Sequence, residues 1–399
     1  MSMMDRRELL RIAALALAAT AAGCGGEAPP DGAPSPGDGG ASAPASKAVT
    51  IGAVLPLSGQ TATYGEETLN GLKMSLEALN AGAGDGPTVN LVFKDNKGDS
   101  TETAKLVSQL IKIDKVAMIV GAVASTNSLK GAKVAQENGI PMMTPASTNV
   151  AITERGEYIS RICFIDPVQG EALAKLSLED LGKKKAVMIV DKASDYSVGL
   201  ADAFRATFEA GGGTIVGEET FTAGEVDFSS IITKVARSGA DVIYAPAYYG
   251  DVGPMLKQAG DKWKDLPLVA GDGIDSPDLY DLMGDYQGEI YMSSHFAPDD
   301  TDPMVSGFVR DYKARFGKVP GAMAALGHDA GLAIFDALGR AGGGSDPVKL
   351  KDALNSIKDL KGITGSITIN AERNADKDVV ILRVRPSGAS FFKRMPYNG

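Results

Sequence analysis

Histidine and cysteine, two of the side chains that catalytic and zinc sites use most often, are rare in this sequence. The 399 residues include only two histidines, His295 and His328, and two cysteines, Cys24 and Cys163. Zinc sites of the H-E-x-x-H type or with three histidine ligands are therefore impossible. The sequence also has no G-x-S-x-G elbow, no G-x-x-x-x-G-K-[ST] loop and no strand that runs into G-x-G-x-x-G. These absences predict a protein that is not an enzyme and has no metal or cofactor.

Polar residues follow predicted strands at three places where a ligand could be held. Ser125 starts a helix, where its hydroxyl and free backbone N–H groups can face a carboxylate, helped by a helix dipole of about half a charge. The segment TPAST at 144–148 is a loop after the next strand. Asp272 lies between two glycines just after another predicted strand. A helix cap, a simple turn and a turn aspartate are the structural alternatives.

The elements that would position these residues alternate between strand and helix periods. Short apolar runs bounded by turn residues are typical of buried parallel strands. The predicted strands are 49–56, 89–93, 116–121, 140–143, 186–190, 214–216, 242–245, 268–270, 366–370 and 379–384. The predicted helices are 69–79, 104–113, 128–138, 200–210, 228–237, 251–258, 303–315 and 322–338.

This βαβ rhythm predicts an α/β fold with two doubly wound parallel-sheet lobes joined by a hinge. A chain of this length also exceeds what one hydrophobic core usually holds. We expect lobe 1 to contain 48–165 and 296–380, and lobe 2 to contain 166–295 and 381–399. Ligands of open α/β sheets bind beyond the carboxyl ends of the strands, so the cleft between the lobes is the expected site.

The N-terminal residues indicate export. Arg6 and Arg7 precede an apolar stretch at 9–22 that is too short and too interrupted to span a bilayer, which predicts a signal peptide at 1–23. The residues DRRELLR at 5–11 also resemble a twin-arginine export signal.

The residues AAGC at 21–24 resemble a bacterial lipobox, which implies that Cys24 is acylated, although Ala21 stands where leucine is usual. Ordinary cleavage that leaves a free protein is the alternative. Residues 24–47 are rich in Gly, Pro, Ala and Ser, so we expect a flexible tether behind the lipid anchor. If Cys24 is acylated, Cys163 has no partner for an internal disulfide.

The charge balance argues against a nucleic-acid partner. Asp and Glu total 50 against 40 for Lys and Arg, which gives a formal net charge of −10. Binding to phosphates needs clustered basic residues. The basic run at 183–185 is expected to be a solvated helix end.

Several segments, in order along 48–384, resemble the leucine/isoleucine/valine-binding protein family, that is, the periplasmic binding proteins of type I that serve ABC transporters. They are GAVLPLSGQTATYG at 52–65, IVGAVAST at 119–126, IPMMTPAST at 140–148, DKASDYSVG at 191–199 and FTAGEVDFS at 221–229. The resemblance implies an exported protein that captures a branched-chain or other small amino acid between its lobes and delivers it to an ABC permease in the membrane.

The resemblance also implies roles for individual residues, because the family binds the zwitterion of an α-amino acid. Ser125, the carbonyl of Ala146, and the side chain and amide of Thr148 would hold its charged groups. Asp272, where the family usually has Glu, would face the ammonium. Wall positions match Tyr64, Tyr196 and Tyr248.

Some positions leave alternatives open or depart from the family. Tyr249 is the alternative to Tyr248, and His328 stands near the cleft where the family often has an aromatic residue. Ala124 replaces the disulfide that the best-known amino-acid binders have next to the serine loop, so ligand specificity should not be copied from them. A short-chain amide, a urea or an aromatic acid is the alternative ligand. A ligand-sensing regulatory protein is the alternative function, but no apolar run of eighteen residues follows Gly25.

Overall fold

The structure, a computed structural model, describes residues 48–397. The predicted signal peptide, the lipidation site at Cys24 and the tether lie outside the described residues.

Lobe 1 is built on a five-stranded parallel sheet with the order β2-β1-β3-β4-β5. Its strands are β1 (Val49–Leu55), β2 (Val89–Asp95), β3 (Met118–Gly121), β4 (Met142–Thr144) and β5 (Ile159–Arg161). The helices between them are α1 (Ala62–Gly82), α2 (Ser100–Lys112) and α3 (Ser125–Glu137), and a 3₁₀ helix covers Val150–Arg155. The sequence of β1 is apolar without alternation because helices cover both faces of the sheet, and all but one of its residues are buried.

Lobe 2 repeats this plan on a seven-stranded sheet. Its strands are β6 (Lys185–Asp191), β7 (Thr214–Phe221), β8 (Val242–Tyr244), β9 (Leu268–Ala270), β10 (Ile290–Ser294), β14 (Val379–Arg385) and β15 (Gly388–Met395), in the order β15-β14-β10-β9-β8-β6-β7. Its helices are α4 (Asp166–Lys175), α5 (Asp195–Ala210), α6 (Ser229–Arg237), α7 (Tyr249–Ala259) and α8 (Asp278–Met283). Strands β6 to β10 pair in parallel, whereas β14 and β15 are antiparallel additions at one edge.

The remaining elements extend lobe 1. They are α9 (Pro303–Phe316), α10 (Ala322–Arg340), α11 (Pro347–Asn355) and a small sheet of β11 (Leu360–Gly362), β12 (Gly365–Ile369) and β13 (Ala375–Asp376). Helix α10 packs closely on α1, and two glycines allow this contact. A Cβ on Gly71 would lie 1.9 Å from the carbonyl oxygen of Ala324, and one on Gly327 would lie 2.1 Å from that of Thr68.

The predicted fold class, two doubly wound α/β lobes, is confirmed. Helix α1 begins at Ala62, whereas the sequence predicted a start at residue 69. The prediction was late because the first two turns are polar and show no helical period of apolar residues. Eight of the labelled helices and strands were not predicted: β5, α4, β10, α8, α11, β11, β13 and β15. Most of these are short or lack a clear apolar period, and tertiary packing decides their conformation.

The chain passes between the lobes at three places in the described residues: from β5 to α4, from β10 to α9 and from β13 to β14. The lobes also touch across the cleft. Asn149 of lobe 1 donates a hydrogen bond from Nδ2 to the carbonyl of Asp195 at 2.7 Å, and the Asp195 N–H donates to Thr126 Oγ1 at 3.0 Å. The two lobes are therefore in a closed arrangement. Among residues 48–397, no helix is both long enough and apolar enough to cross a membrane.

Candidate functional site

A small cavity with a volume of about 10 Å³ lies between the lobes. It is lined by Tyr64, Val123, Ser125, Ala146, Thr148, Tyr196, Tyr248, Asp272, Gly273 and Met323. All seven ligand-binding residues predicted from the sequence are in this set. A cavity of this size holds about one water molecule, so binding of a larger ligand requires the lobes to move apart.

Ser125 is the first residue of α3, and its position differs from that of a simple helix cap. The N-cap residue is Ala124, which has an extended backbone and no side-chain hydrogen bond to the helix. The Ser125 hydroxyl instead accepts a hydrogen bond from the N–H of Asn149 at 3.3 Å. Because Ser125 lines the cavity, the N-terminal turn of α3, which has no side-chain cap, and the positive end of its dipole lie beside the cavity.

The loop after β4 brings Ala146 and Thr148 to the cavity wall, and a dense set of buried hydrogen bonds fixes it. Ser147 Oγ lies within hydrogen-bond distance of the carbonyl oxygens of Ala122, at 2.9 Å, and Val123, at 2.7 Å. Arg161 is fully buried and donates to the carbonyls of Ser147 at 2.7 Å and Asn149 at 2.8 Å. This explains how the loop keeps its shape without the disulfide that Ala124 replaces.

Among the buried side-chain polar atoms of this loop in the described residues, only the Thr148 hydroxyl lacks a well-formed hydrogen bond. Thr148 is 1% exposed, and its Oγ1 makes no well-formed hydrogen bond in the part of the chain that the structure describes, although it lies close enough to the Asp166 carboxyl to oppose the rise in the pKa of that group. A buried hydroxyl without a partner is costly, which favours a ligand atom as its partner.

Asp272 enters the cavity from lobe 2, as the first residue of a 3₁₀ turn (Asp272–Ile274) after β9. The Tyr196 hydroxyl donates to Asp272 Oδ1 at 3.0 Å, and His295 Nε2 lies 3.0 Å from Asp272 Oδ2. The glycines on either side of Asp272 are needed because a Cβ on Gly271 would lie 2.3 Å from the Tyr196 hydroxyl, and one on Gly273 2.9 Å from it.

The three predicted tyrosines form a continuous aromatic wall. The rings of Tyr196 and Tyr248 stack with centroids 5.0 Å apart, and Tyr64 meets Tyr248 edge-on at 6.1 Å. The Tyr64 hydroxyl of lobe 1 also donates to the carbonyl of Gly273 in lobe 2. Tyr249, the alternative to Tyr248, packs on Tyr64 at 4.8 Å and does not line the cavity.

A second set of buried polar groups lies behind Asp272. Burial, reinforced by the negative charge of Asp272, raises the pKa of Asp166 to about 7. Asp166 Oδ1 accepts a hydrogen bond from Gln169 at 3.1 Å, and Gln169 Oε1 accepts one from the Asp272 N–H at 3.3 Å. Lobe 2 thus contributes a concentration of acidic groups to its side of the cavity.

Sequence reasoning missed four residues of the site. Val123 and Gly273 line the cavity beside predicted residues, and Met323 comes from the start of α10, far away in the sequence. His295 contacts Asp272. Its position directly after β10 is the only feature of the sequence that could have indicated this contact, and β10 was not predicted. His328 lies on α10 against Phe308, with ring centroids 5.2 Å apart, and is not among the lining residues.

Comparison with known proteins gives consistent results. The family model described as "Periplasmic binding protein" matches residues 48–389. The Leu/Ile/Val-binding protein homolog 3 of Brucella melitensis is 30% identical over 324 residues, which is 80% of this chain and 86% of the relative.

Solved structures agree with this result. The leucine binding protein LivK of Thermotoga maritima is 34% identical with a TM-score of 0.83, and the match covers 87% of this chain and 99% of that one. The substrate binding protein LivJ of Streptococcus pneumoniae, solved with isoleucine, is 30% identical with a TM-score of 0.80, and the match covers 87% of this chain and 100% of that one. The predicted resemblance to leucine/isoleucine/valine-binding proteins is therefore confirmed.

Proposed function

Because this chain belongs to the periplasmic binding protein family, we propose that it captures a small amino acid with a branched apolar side chain and delivers it to an ABC permease. The observation that carries the proposal is the pairing of groups across the cavity. Lobe 1 presents the hydroxyl of Thr148 and the start of α3, which has no side-chain cap, and lobe 2 presents the carboxylate of Asp272.

These two sides suit the two charged groups of an α-amino acid. A ligand carboxylate would accept hydrogen bonds from the hydroxyls of Ser125 and Thr148 and from backbone N–H groups at the start of α3. A ligand ammonium would donate to the carboxylate of Asp272 and to the carbonyl of Ala146. A neutral amide or urea would leave Asp272 without an opposite charge, and a buried carboxylate in that state is unfavourable.

The rest of the cavity is suited to an apolar side chain. Val123 and Met323 add aliphatic surface to the wall formed by Tyr64, Tyr196 and Tyr248. The relatives whose names include leucine, isoleucine or valine support the same range of ligands.

Ligand capture would proceed by hinge closure. The two moving bodies are lobe 1 and lobe 2, with the whole of β14 (Val379–Arg385) in lobe 2. A ligand that bridges Thr148 and Asp272 binds the closed form better than the open form, and this differential affinity shifts the population towards closure. Small-angle scattering of ligand-free and saturated protein tests this step, because the radius of gyration should fall on binding. An identical scattering profile would contradict it.

Membership of the family implies an exported, periplasmic protein. We further propose that acylated Cys24 anchors it to a membrane, on the basis of the lipobox-like residues at 21–24. Cys24→Ser should abolish partition of the protein with membranes, whereas Cys163→Ser should not change it. A Cys24→Ser protein that stays membrane-bound after a high-salt wash would contradict the anchor.

The proposed ligand class is tested by a thermal-shift screen followed by calorimetry on protein refolded from denaturant to remove co-purified ligand. The panel compares L-leucine, L-isoleucine and L-valine with acetamide, urea and benzoate. A ligand at 100 times its Kd adds about 2.7 kcal/mol to the free energy of unfolding, so a true ligand raises Tm clearly. Stabilisation by an amide or benzoate but by no amino acid would contradict the proposal. Mass spectrometry of the bound ligand should show it chemically unchanged.

A further inference from the structure

His295 occupies an unusual position, since it links the candidate ligand site to a crossing between the lobes. It follows β10 directly, where the chain leaves lobe 2 for α9 of lobe 1. Its side chain is completely buried. The imidazole stacks on Phe164, which lies at another crossing, with ring centroids 3.8 Å apart and planes 20° from parallel. The ring is therefore held between two of the segments that join the lobes.

The hydrogen bonding of His295 is one-sided. Its Nε2 lies 3.0 Å from Asp272 Oδ2, and because a carboxylate only accepts, Nε2 must carry the hydrogen. Its Nδ1 has no hydrogen-bond partner within residues 48–397. The imidazole thus acts as a single donor aimed at the carboxylate that faces the cavity.

Neighbouring residues strengthen the same connection. Ser294 Oγ donates to Asp275 Oδ2 at 2.6 Å, and Ser293 Oγ donates to Gln169 Oε1 at 2.8 Å. Gln169 in turn accepts from the N–H of Asp272. Three consecutive residues at the lobe crossing are therefore tied, directly or through one side chain, to the turn that carries Asp272.

We propose that His295 is a positioning residue that aims the Asp272 carboxylate into the cavity, and that a proton on His295 competes with a ligand ammonium for that carboxylate. This inference rests on the proposed function. An imidazolium at 3.0 Å from Oδ2 neutralises the charge that the ammonium requires, and two positive charges at one buried carboxylate repel each other. Acidification should then weaken the binding of an amino acid.

The charged surroundings of His295 set the direction of this effect. Burial lowers the pKa of His295, while the hydrogen bond to Asp272 and its negative charge oppose that shift. Lys377, in the β13–β14 crossing, also lowers it, and Asp329 of α10 raises it. Other titratable groups near Asp272 are Cys163 and Asp166 at the β5–α4 crossing and Asp275 after β9. The hydroxyls of Tyr64, Tyr196, Tyr244 and Tyr248 are near it as well.

The direction in which affinity changes with pH follows from these pKa shifts. In the free protein His295 takes up its proton below the ordinary imidazole pKa of about 6.5, and a bound ammonium lowers the pKa further. Affinity for an amino acid should therefore fall as the pH drops through this range, by up to about tenfold per pH unit. A ligand that has a carboxylate but no ammonium should not lose affinity in this way.

The test is calorimetric titration with L-leucine and with 4-methylpentanoate, its analogue without the ammonium, from pH 8 to pH 5. We expect wild-type affinity for leucine to fall over the acidic part of the range. His295→Gln keeps a donor near Nε2 but takes up no proton, so its affinity for leucine should change much less with pH. His295→Leu should bind leucine more weakly than His295→Gln at every pH. His328→Gln, at the other histidine, should keep the wild-type profile.

Each outcome of this experiment has a distinct meaning. Asp166 and Asp275 titrate in the same range, with pKa values raised by burial to about 7 and about 6, so the decisive quantity is the difference between His295→Gln and wild type. If both proteins bind leucine and their affinities change equally with pH, the proposed role of His295 is wrong but the proposed function stands. Absence of binding by leucine, isoleucine and valine at every pH would overturn the proposed function and this inference with it.

A measurement on the wild type covers the case in which the variants do not fold. With ¹³C-labelled histidine the chain gives only two imidazole signals, because it has only two histidines. The His295 signal should titrate at a lower pH in the leucine complex than in the free protein, and the His328 signal should move much less. An unchanged midpoint for the His295 signal would overturn the proposal.

Discussion

The two halves of the candidate site are built in different ways. The lobe 1 half consists of a loop and a helix start, and its shape depends on backbone carbonyls held by Ser147 and by the buried guanidinium of Arg161. The lobe 2 half depends on side chains instead: the Asp272 carboxylate is held by the side chains of Tyr196 and His295.

This difference extends to charge. Lobe 1 offers donors, among them the Thr148 hydroxyl that makes no well-formed hydrogen bond in the described structure. Lobe 2 offers negative charge from Asp272, with Asp166 behind it. A ligand that carries one positive and one negative end matches this asymmetry, whereas a neutral or singly charged ligand satisfies one half only. The following substitutions affect one half at a time.

The largest effect is expected from Asp272→Asn, which removes the charge of the lobe 2 half at almost constant size. Loss of one partner from a buried charge pair costs about 2–5 kcal/mol, so affinity for the amino acid should fall by roughly 30-fold to several thousandfold. Calorimetry on refolded protein measures the change. The exposed Asp281→Asn, also in lobe 2, should bind as wild type does. Wild-type affinity in the Asp272→Asn protein would mean that Asp272 is only a turn residue.

Thr148→Val should have the next largest effect, and it examines the lobe 1 half. A hydrogen bond to a charged group contributes about 1.5–3 kcal/mol, which corresponds to a loss of about 10- to 150-fold in affinity. The free protein should lose little stability, because within the described residues the hydroxyl makes no well-formed hydrogen bond and only lies close to the Asp166 carboxyl.

Thr144→Val is the matched control for this substitution. The Thr144 hydroxyl donates to the carbonyl of Ala122 at 2.9 Å and accepts from the N–H of Ser147 at 3.0 Å. Its loss should lower the free energy of unfolding by about 1–3 kcal/mol. If Thr148→Val destabilises the free protein as much as Thr144→Val does, its hydroxyl is a structural group and not a ligand contact.

Tyr64→Phe should have the smallest effect, because it removes a contact between the halves and keeps the aromatic wall. The lost hydrogen bond to the Gly273 carbonyl stabilises only the closed form. A net contribution of about 0.5–1.5 kcal/mol predicts a roughly 2- to 10-fold loss of affinity.

The control for Tyr64→Phe is Tyr286→Phe, whose hydroxyl donates to the Trp263 carbonyl at 3.2 Å inside lobe 2. It should lower Tm and leave affinity unchanged. Equal affinities for the two variants would show that the cross-lobe bond does not contribute to closure.

Much of this site could be predicted from the sequence, and the reason is physical. In a parallel α/β sheet the loops after the strands meet at one edge, so Ser125, Thr148 and Asp272 could be placed there from the rhythm of strands and helices alone. The tyrosine positions came from the resemblance to a known family. The structure brings all seven predicted residues to one cavity, and their role in binding stays a prediction.

Other parts of the site depend on contacts that no local pattern reveals. Met323 reaches the cavity because α10 packs on α1, and that contact depends on Gly71 and Gly327. His295 contacts Asp272 because the β10 crossing lies beside the turn after β9, an arrangement set by the order of strands in the sheet. The early start of α1, which presents Tyr64, is polar in sequence and is stabilised by packing.

The central claim is that the two lobes hold opposite charges of one ligand. Titration of the wild-type protein with L-leucine, 4-methylpentanoate and 3-methylbutan-1-amine tests it most directly, because the second ligand lacks the ammonium and the third lacks the carboxylate. We expect leucine to bind at least about 30-fold more tightly than either analogue, since each analogue leaves one buried half of the site unpaired. If 4-methylpentanoate binds as tightly as leucine, Asp272 has no ammonium partner and the claim is wrong.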